Sequence, residues 1–448
     1  MSLKLDVRLD GFADPIGALV RDDNGALSFS YGTQYVQRPN AIRISLSLPL
    51  TNRIYGDQAA RAFFGNLLQE RDGELGPLMA REGLARDDIV GLLYYLGGDC
   101  AGAISVLPAD APPTKIPGDY ETDYVPLAPQ QLAEIIRELH QHQRLPAGMQ
   151  DPSPLAGVES KIALTLLRDG RFSQPVESSG APTTHILKVP RRPGEAKQEI
   201  AALRLSEACG ITTASGALRQ IDGIDVVIVT RFDRFIDVNG KIGRCHQEDF
   251  AKALGLPADL KYERRGVEGR RFDARAIGSV LTQTFNPAEA RFRFISGVIF
   301  DLLIGNSDAH AKNHALLYSR GGGAPGLSPR YDLVPTRLNA QFEDAFAFRI
   351  GRSSRLVDLS ADDLPDLVAA VGAAPGRAAQ RVARRITQGI AMQLVSRLVE
   401  LDRAGMKSFA DLIAANLRHV LPLLGLDVPD QAQQRDAFVV GGGGWATS

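Results

Sequence analysis

The chain has 448 residues, a formal net charge of −1 at pH 7 and three cysteines, Cys100, Cys209 and Cys245. This length fits two or three domains, each large enough to bury its own core. The near-zero net charge excludes a global attraction to nucleic acid, and YERRGVEGRRFDARA is the best candidate for a local basic face. Three widely spaced cysteines argue against a disulfide framework or a cysteine-based metal site. Because no apolar run is long enough to cross a bilayer and no signal-peptide pattern is present, we expect a cytoplasmic protein without membrane contact.

Residues 1–107 are predicted to form an N-terminal α/β subdomain. LKLDVRLDG and LSFSYG have strand character, and IRISLSLPL alternates so strictly that a third strand is predicted around Ile42 and Ile44. DQAARAFFGNLLQERD has helical spacing, and GGDCAGAISVLP returns to a strand. The proline-rich PADAPPTKIPGDYETDYVP indicates a domain boundary, so residues 108–149 are assigned to a linker and a connecting helix, PQQLAEIIRELHQHQ.

Residues 150–244 are predicted to form a sheet-rich lobe. Two hairpins are expected, with Asp-Gly turns at 169–170 and 222–223, because this dipeptide favours tight turns between strands. THILKVP is a strand, and GEAKQEIAALRLSEACG is a helix that ends at Gly210.

Residues 245–430 are predicted to form a helical lobe, followed by a disordered tail at 431–448. In AEARFRFISGVIFDLLIG, helical spacing puts four apolar residues on one face: Phe292, Ile295, Ile299 and Leu302. The segments around 376–402 and 408–424 have the same periodicity.

The segment IGNSDAHAKNHALLY carries a carboxylate and an amide five residues apart, Asp308 and Asn313. A second carboxylate, Asp332, follows within SPRYDLVPT. Phosphoryl transfer requires one carboxylate to orient a hydroxyl group and two oxygen ligands to hold Mg²⁺ against the phosphates. In this interpretation Asp308 is the base, and Asn313 and Asp332 are the metal ligands. The alternative is that Asp308 and Asn313 only cap a loop.

Upstream residues provide candidates for phosphate binding. Lys188 lies in the strand THILKVP, and Glu199 lies in the next helix, which is the pairing that kinases use at the α- and β-phosphates. The alternative is a surface Lys on an edge strand and a Glu favoured by a first helical turn.

Two further segments complete an ordered set. PSPLAGVESK, with Gly157 and Lys161, places a small-residue loop before a hairpin, where it could cover phosphates. VVIVTRFDR ends a buried strand, and backbone groups from Thr230 to Phe232 could face adenine, although an ordinary strand end is the alternative. The order of loop, Lys, Glu, strand end, Asp-x₄-Asn and Asp favours a kinase more than any single member does.

These residues lie within segments that resemble the HipA family, serine/threonine kinases of bacterial toxin–antitoxin modules. The resemblance extends from near residue 1 to about 420 and is carried by RISLSLPL, FFGNLL, TTHILKVP, TRFDR, HQEDFAKALGLP, IGNSDAHAKN and SPRYDLVPT. It implies an α+β, protein-kinase-like bilobal fold, with a sheet-rich nucleotide lobe and a helical C-terminal lobe, preceded by an N-terminal α/β subdomain.

The resemblance also implies roles for individual residues. Asp308 would be the catalytic base, Asn313 and Asp332 would bind Mg²⁺, and Lys188 would contact a phosphate. The other implied contributors to ATP binding are Gly157, Lys161, Glu199, Thr230, Phe232, Asp233, Gln247 and His310. For His310 a purely structural role remains an alternative, and for Gln247 a place at a helix N-terminus does.

One position departs from the family pattern. Family members commonly carry an autophosphorylated Ser three residues before the loop Gly, but here Pro154 stands three before Gly157, and Glu159 replaces the usual Gln. Ser153 lies one residue earlier, and we hypothesise that it can still be modified if the loop is one residue longer; the alternative is that Ser153 is an ordinary turn residue. The proline would also stiffen this loop.

The resemblance implies a function and partners. The expected activity is transfer of the ATP γ-phosphoryl group to an aminoacyl-tRNA synthetase, glutamyl-tRNA synthetase first, which halts translation and promotes dormancy. A HipB-type helix-turn-helix antitoxin is the expected inhibitor, and operator DNA is expected to be bound only through the antitoxin complex. Two alternative hypotheses are that the protein is a small-molecule phosphotransferase or a catalytically silent binding partner of the antitoxin.

Overall fold

The computed structural model describes residues 2–69, 72–146, 148–149, 160–177 and 179–438. Its mixed α/β chain divides into two compact units. The first comprises Met1–Ala196, Gly216–Asp259 and Ala315–Gly326, and the second comprises Lys197–Ser215, Leu260–His314 and Leu327–Ser448. Within the described ranges, no helix has the length and apolar character needed to span a membrane.

The strands and helices have the following bounds. The strands are β1 (Leu3–Leu9), β2 (Gly17–Arg21), β3 (Leu27–Tyr31), β4 (Ile104–Pro108), β5 (Tyr124–Pro126), β6 (Lys161–Leu166), β7 (Phe172–Pro175), β8 (His185–Lys188), β9 (Gly216–Ile221), β10 (Ile224–Thr230), β11 (Arg234–Ile236), β12 (Ile242–Arg244), β13 (Gln247–Asp249), β14 (Ala315–Leu317), β15 (Gly326–Leu327), β16 (Ala345–Ile350) and β17 (Ser353–Arg355). The helices are α1 (Thr33–Val36), α2 (Asp57–Gly65), α3 (Asp72–Glu82), α4 (Ile89–Leu96), α5 (Pro129–His142), α6 (Glu195–Ala208), α7 (Phe250–Ala253), α8 (Ala274–Thr282), α9 (Pro287–Ile304), α10 (Asp363–Ala370), α11 (Gly376–Val395), α12 (Leu398–Arg403), α13 (Lys407–Leu423) and α14 (Asp430–Gln433).

A four-stranded antiparallel sheet of order β3-β2-β1-β4 organises the N-terminal part of the first unit. Leu5, Val7 and Leu9 of β1 are almost completely buried, as expected for strand positions two apart on one face. The sequence pattern predicts β1, β3, β4 and α2, whereas β2 is not among the predicted strands.

The predicted strand around Ile42 and Ile44 is wrong, although both side chains are buried. The segment is an irregular loop whose backbone bonds to tyrosine side chains instead of a neighbouring strand. Tyr35 Oη accepts the Ile42 N–H at 3.1 Å, and Tyr31 Oη accepts the Ile44 N–H at 2.9 Å. Two buried phenols therefore accept the backbone N–H groups that would otherwise need carbonyl acceptors on a neighbouring strand.

The loop is also bonded to a buried acid, Glu248 of β13. Its carboxylate is inaccessible to solvent and accepts hydrogen bonds from Ser45 Oγ at 2.6 Å, from the Leu46 N–H at 3.0 Å and from the hydroxyl of Tyr318. Burial raises the pKa of Glu248 to about 7, against the lowering effect of the three donors. Glu248 thus connects the N-terminal loop to β13 and to the residue that follows β14.

A six-stranded antiparallel sheet of order β5-β7-β6-β8-β10-β9 forms the rest of the first unit's main framework. Both predicted hairpins are present, and their turns use positive φ at Gly170 (85°), Asp222 (52°) and Gly223 (77°). The segment predicted as linker and connecting helix contributes β5 to this sheet and α5 to its hydrophobic core. The predicted domain boundaries themselves stay a prediction.

Helices dominate the second unit, with α9 buried along much of its length. The predicted apolar face of α9 is correct for Ile295, Ile299 and Leu302, which are at most 4 % exposed, but wrong for Phe292, which is 47 % exposed. Residues 431–438, the start of the predicted disordered tail, are instead held by charged side chains. Arg435 pairs with both Asp402 and Asp411.

Substitution of Glu248 tests the contribution of the buried acid to stability. Glu248→Ala leaves three buried donors without an acceptor, and we expect a loss of about 3 kcal/mol in the free energy of unfolding. Glu248→Gln keeps an acceptor for Leu46 and Tyr318 and offers an N–H to the Ser45 hydroxyl, so its loss should be much smaller. Denaturant titration measures both values, and equal losses would contradict the hydrogen-bond account.

The pH dependence of stability provides a second prediction. The pKa of Glu248 is raised in the folded chain to about 7 from an ordinary value of 4.5, so the folded state binds this proton more tightly. The resulting stabilisation is fully present below pH 4.5 and is lost as the pH rises through 7. The unfolding free energy of the wild type, relative to Glu248→Gln, should therefore fall across this range, whereas a constant difference would contradict the shift.

Candidate functional site

The loop that carries Asp308 begins where α9 ends. Gly305 takes the left-handed conformation (φ 77°) and closes the helix, since its N–H bonds to the Asp301 carbonyl. Asn306 then donates from Nδ2 to Asp301 Oδ1 at 2.9 Å, while its Oδ1 accepts the Asp308 N–H at 3.2 Å. The direction of the chain entering Asp308 is therefore set by side-chain bonds to the end of a buried helix.

Asn313 holds the other end of the same loop. Its Nδ2 donates to the backbone carbonyl of Asp308 at 2.9 Å, and the side chain is 7 % exposed, at the end of the 3₁₀ turn Ala311–Asn313. The predicted loop-capping role is thus present, but it engages only the amide nitrogen. The amide oxygen is the group that a hard cation would take.

Asp332 adopts a left-handed backbone conformation, with φ 58°. Asp is among the few non-glycine residues that tolerate this region, at an energetic cost that often marks functional positions. The preceding residue, Tyr331, donates its hydroxyl to the Lys312 carbonyl at 2.8 Å, which ties the Asp332 segment to the Asp308 loop.

The pKa of His310 responds to the charges of both candidate carboxylates, Asp308 and Asp332. Burial lowers the pKa of His310, while the charges of Asp308 and Asp332 act in the opposite direction. Both carboxylates therefore act electrostatically on this imidazole. Its Nδ1 is buried without a hydrogen-bond partner in the described part of the chain, which suits a nitrogen that meets a ligand.

A buried polar network supports the loop from behind. Arg330 donates to His314 Nδ1 at 2.9 Å and also pairs with Asp301. Since this bond makes Nδ1 an acceptor, Nε2 carries the proton and donates to the Ala309 carbonyl at 3.2 Å. Burial, followed by the charge of Arg330, holds the pKa of His314 well below its usual range, so the ring stays neutral. His314 and Arg330 border a small cavity that Asn313 also lines.

Tyr262 is a site residue that the sequence analysis missed. Its hydroxyl donates to Asp308 Oδ1 at 2.6 Å, and its ring stands edge-on to His310 at 5.2 Å. The sequence does draw attention to this region, because Tyr262 is the first residue of the stretch YERR, but its composition predicts only a local basic face. In the structure this stretch also makes internal contacts: Arg264 pairs with Glu343, and Glu263 binds Arg349.

In the first unit, two predicted phosphate contacts face each other across the sheet. Lys188 of β8 is directly opposite Lys161 of β6 in the antiparallel register, and Lys188 is only 9 % exposed. The edge-strand alternative for Lys188 is wrong, since β8 is flanked by β6 and β10. Like charges directly opposite each other are unfavourable in a sheet unless an anion or another acid compensates them.

The end of β10 holds the predicted adenine contacts. Thr230 is exposed and Phe232 is half-buried, and the Arg231 N–H between them bonds to the Thr184 carbonyl at 2.9 Å. Their role toward a nucleotide stays a prediction.

Asp233 is 2 % exposed and pairs with both Arg231 and Arg234. Burial alone would raise its pKa, but the two guanidinium groups hold the pKa of Asp233 well below its usual range. Gln247 Nε2 donates to the same carboxylate at 3.2 Å from strand β13, so the helix alternative for Gln247 is wrong. Asp233 therefore holds together two arginines and Gln247 in the structure. Its place in a nucleotide pocket stays a prediction.

Of the remaining predicted residues, Glu199 is described by the structure, and those of the small-residue loop are not. Glu199 is 2 % exposed within α6, so it is not a solvated residue of a first helical turn. Ser153, Pro154, Gly157 and Glu159 lie outside the described residues, and the predictions that concern this loop are unaffected by the structure.

The side chains that could hold a metal ion were compared among the described residues. These residues contain no group of three or more His, Cys, Asp or Glu side chains arranged to hold an ion. Asn313 and Asp332 provide two oxygen-bearing side chains. Such a pair fits Mg²⁺ bound together with phosphates, because Mg²⁺ commonly takes only one or two protein ligands there and keeps several waters.

Comparisons with known proteins identify the family. The model of the HipA-like C-terminal domain matches residues 153–397, and that of the HipA N-terminal domain matches residues 5–107. A putative kinase of Sinorhizobium fredii, Y4mE, is 32 % identical over 413 residues, which cover 90 % of this chain and 96 % of the relative. The serine/threonine-protein kinase toxin HipA of Shewanella oneidensis is 28 % identical over 349 residues, 73 % of this chain and 76 % of that protein.

A solved structure has the same fold. In the complex of HipA, HipB and operator DNA from Shewanella oneidensis MR-1, the matched chain superposes with a TM-score of 0.76 at 24 % identity, and the match covers 94 % of this chain and 98 % of that one. The two family models match in the expected order, and one relative is matched along nearly its whole length. The chain therefore belongs to the HipA family of toxin kinases.

Proposed function

We propose that this protein is an ATP- and Mg²⁺-dependent serine/threonine protein kinase that acts as a growth-arresting toxin. The observation that carries the proposal is the arrangement in the second unit. Asn313 bonds to the Asp308 carbonyl, and the bond from the Tyr331 hydroxyl to the Lys312 carbonyl ties the Asp332 segment to the same loop. A base and two oxygen ligands held close together are the minimum that phosphoryl transfer requires of a protein.

Lys161 and Lys188 are assigned to the phosphates of ATP. Their opposed positions on β6 and β8 concentrate positive charge on one face of the sheet. A polyphosphate is the kind of ligand that such a pair attracts, because each ammonium group makes a charge-assisted hydrogen bond to a phosphate oxygen. The backbone from Thr230 to Phe232 is assigned to adenine.

Asn313 and Asp332 are assigned to the metal. The Asn313 amide nitrogen bonds to the Asp308 carbonyl, which leaves the amide oxygen as the group of this side chain that could bind the cation. Bound Mg²⁺ would neutralise charge on the phosphate oxygens. The neutral His310, with its unpartnered Nδ1, adds a polar contact without adding charge.

Asp308 is assigned as the base. A substrate Ser or Thr hydroxyl donates to its carboxylate and is thereby aligned for attack on the γ-phosphorus. The bond from that oxygen to phosphorus forms as the bond to ADP breaks, and the proton passes to Asp308. Since the transition state is loose, the chain contributes mainly position and charge.

The relatives suggest the biological setting. One relative is named a serine/threonine-protein kinase toxin, and the solved structure with this fold is of a complex with HipB and operator DNA. The proposal therefore includes inhibition by a HipB-type antitoxin, with DNA bound through that complex. An aminoacyl-tRNA synthetase, glutamyl-tRNA synthetase first, is the proposed substrate. Its phosphorylation in the cytoplasm would stop tRNA charging and promote dormancy.

A small-molecule phosphotransferase is the second candidate function, since such enzymes share the Asp-x₄-Asn pattern. The match of residues 5–107 to the HipA N-terminal domain argues for the toxin instead. A catalytically silent antitoxin partner is the third candidate, and the combination of Lys188, Asp308, Asn313 and Asp332 argues against it.

The function is tested by phosphoryl transfer from labelled ATP to a panel of purified aminoacyl-tRNA synthetases, with aminoglycosides and sugars assayed in parallel. We expect label on one synthetase, at Ser or Thr. Phosphopeptide mapping of the kinase after incubation with ATP tests the Ser153 hypothesis, and modification elsewhere or nowhere would count against it. Transfer only to a small molecule would establish the second candidate, and ATP binding without any transfer would establish the third.

Asp308→Asn tests the base. Asn keeps the size of the side chain and an oxygen that can accept the Tyr262 hydroxyl, so the melting temperature should change little. Transfer should fall by about 10²- to 10⁴-fold, because the proton acceptor is lost. Asp366→Asn, on the helix α10, is the control and should leave the rate unchanged. A toxic and active Asp308→Asn variant would contradict the assignment.

Lys188→Met tests the phosphate contact while keeping the apolar stem. Loss of a charge-assisted hydrogen bond should weaken ATP binding by about 10- to 100-fold. Lys241→Ala, an exposed lysine of the same unit, serves as the control. Direct titration with ATP and Mg²⁺ gives both dissociation constants, and an unchanged value for Lys188→Met would remove this residue from the nucleotide site.

A further inference from the structure

We propose that Tyr262 is a positioning residue for Asp308: its hydroxyl fixes one carboxylate oxygen, so that the other faces the acceptor hydroxyl of the substrate. The inference rests on the proposed kinase function, since it assigns a task within that site. Its basis is the hydrogen bond of 2.6 Å from Tyr262 Oη to Asp308 Oδ1. A bond between a hydroxyl and a carboxylate of this length is of the strong, charge-assisted kind.

The backbone around Tyr262 is attached to the catalytic loop itself. The carbonyl of Lys261 accepts the Ala311 N–H at 3.1 Å, which is three residues beyond Asp308. On the other side, Glu263 accepts from Arg349 Nε at 2.8 Å and is bonded to the Arg349 N–H as well. The phenol therefore approaches Asp308 from a segment that is anchored on both sides.

The ring of Tyr262 is also held in place. The guanidinium of Arg264 lies 4.2 Å from the ring centre, that of Arg265 lies at 5.4 Å, and the ammonium of Lys261 lies at 5.8 Å. Each cation attracts the face of the ring. His310 contacts the ring in an edge-on arrangement at 5.2 Å between centroids. Movement of the phenol away from Asp308 would break several contacts at once.

The phenol remains a donor at physiological pH. Burial raises the pKa of Tyr262, and the neighbouring Asp308 charge raises it further. The proton thus stays on Tyr262, and this residue does not compete for the role of base.

This geometry has a chemical consequence. An ionised carboxylate has two oxygens, and a freely rotating one presents either of them in many orientations. When Tyr262 occupies Oδ1, Oδ2 is left to accept the substrate proton in a fixed direction. Misplacement of a catalytic group by about 1 Å can cost roughly 10²-fold in rate, so such a restraint matters even without contact to the substrate.

The same contact also defines the opposite role, inhibition. If the Tyr262 hydroxyl stood where the substrate hydroxyl must bind, it would inhibit the enzyme, and removing it would raise the rate. The anchored backbone and the cations around the ring favour a permanent restraint over a removable blocking group.

The test compares Tyr262→Phe and Tyr262→Leu with the wild-type chain in phosphoryl transfer from labelled ATP. Phe keeps the ring and its cations but removes the hydroxyl, and Leu removes both. Tyr95→Phe is the matched control, because Tyr95 donates to the Glu82 carboxylate at 2.7 Å on the exposed surface of the first unit. Transfer by the wild type tests the proposed function, and the ratio of each variant to the wild type tests Tyr262.

We expect Tyr262→Phe to lower kcat by about 10- to 100-fold, with an unchanged KM for ATP and an unchanged melting temperature. Tyr262→Leu should lose a similar factor in kcat, since the hydroxyl rather than the ring supplies the effect, and Tyr95→Phe should behave as wild type. Three results would overturn the proposal: full activity of Tyr262→Phe, a raised kcat, or a loss confined to Tyr262→Leu, which would indicate a structural role for the ring.

Discussion

The hydrogen bond from the Asn313 amide nitrogen to the Asp308 carbonyl is the interaction on which the candidate site depends. It closes a loop of six residues, fixes the rotamer of Asn313 and thereby determines which way the amide oxygen points. Around it, buried polar groups satisfy one another: Asn306 at the loop start, and His314 with Arg330 behind it. Because an unsatisfied buried group costs about 1–3 kcal/mol, this network has few alternative arrangements.

The strongest sequence predictions were those that rest on local rules. The Asp-Gly turns, the end of α6 before Gly210 and the helix α5 follow from turn chemistry and periodicity, and all are present in the structure. The Asp-x₄-Asn spacing could also be recognised, because both residues lie in one short loop. The family followed from motifs spread over the whole chain.

What the sequence could not give are contacts between distant segments. The alternation around Ile42 predicts a strand, yet the backbone there bonds to the phenols of Tyr31 and Tyr35. No local sequence pattern predicts these two hydrogen bonds. Tyr262 is 46 residues from Asp308 in sequence, and its position in a basic stretch suggested surface charge. Phe292 was assigned to the core because helical spacing gives the face of a helix but not how far neighbouring elements cover it.

We propose that Asn313 and Asp332 hold a divalent cation beside a nucleotide while Asp308 faces the acceptor hydroxyl. A crystal structure with a non-hydrolysable ATP analogue and Mg²⁺ tests this most directly. We expect an ion with Asn313 Oδ1 and an Asp332 carboxylate oxygen at about 2.1 Å, and with a phosphate oxygen in the same coordination sphere. A nucleotide bound with its metal on other side chains, or these two oxygens directed away from the ion, would contradict it.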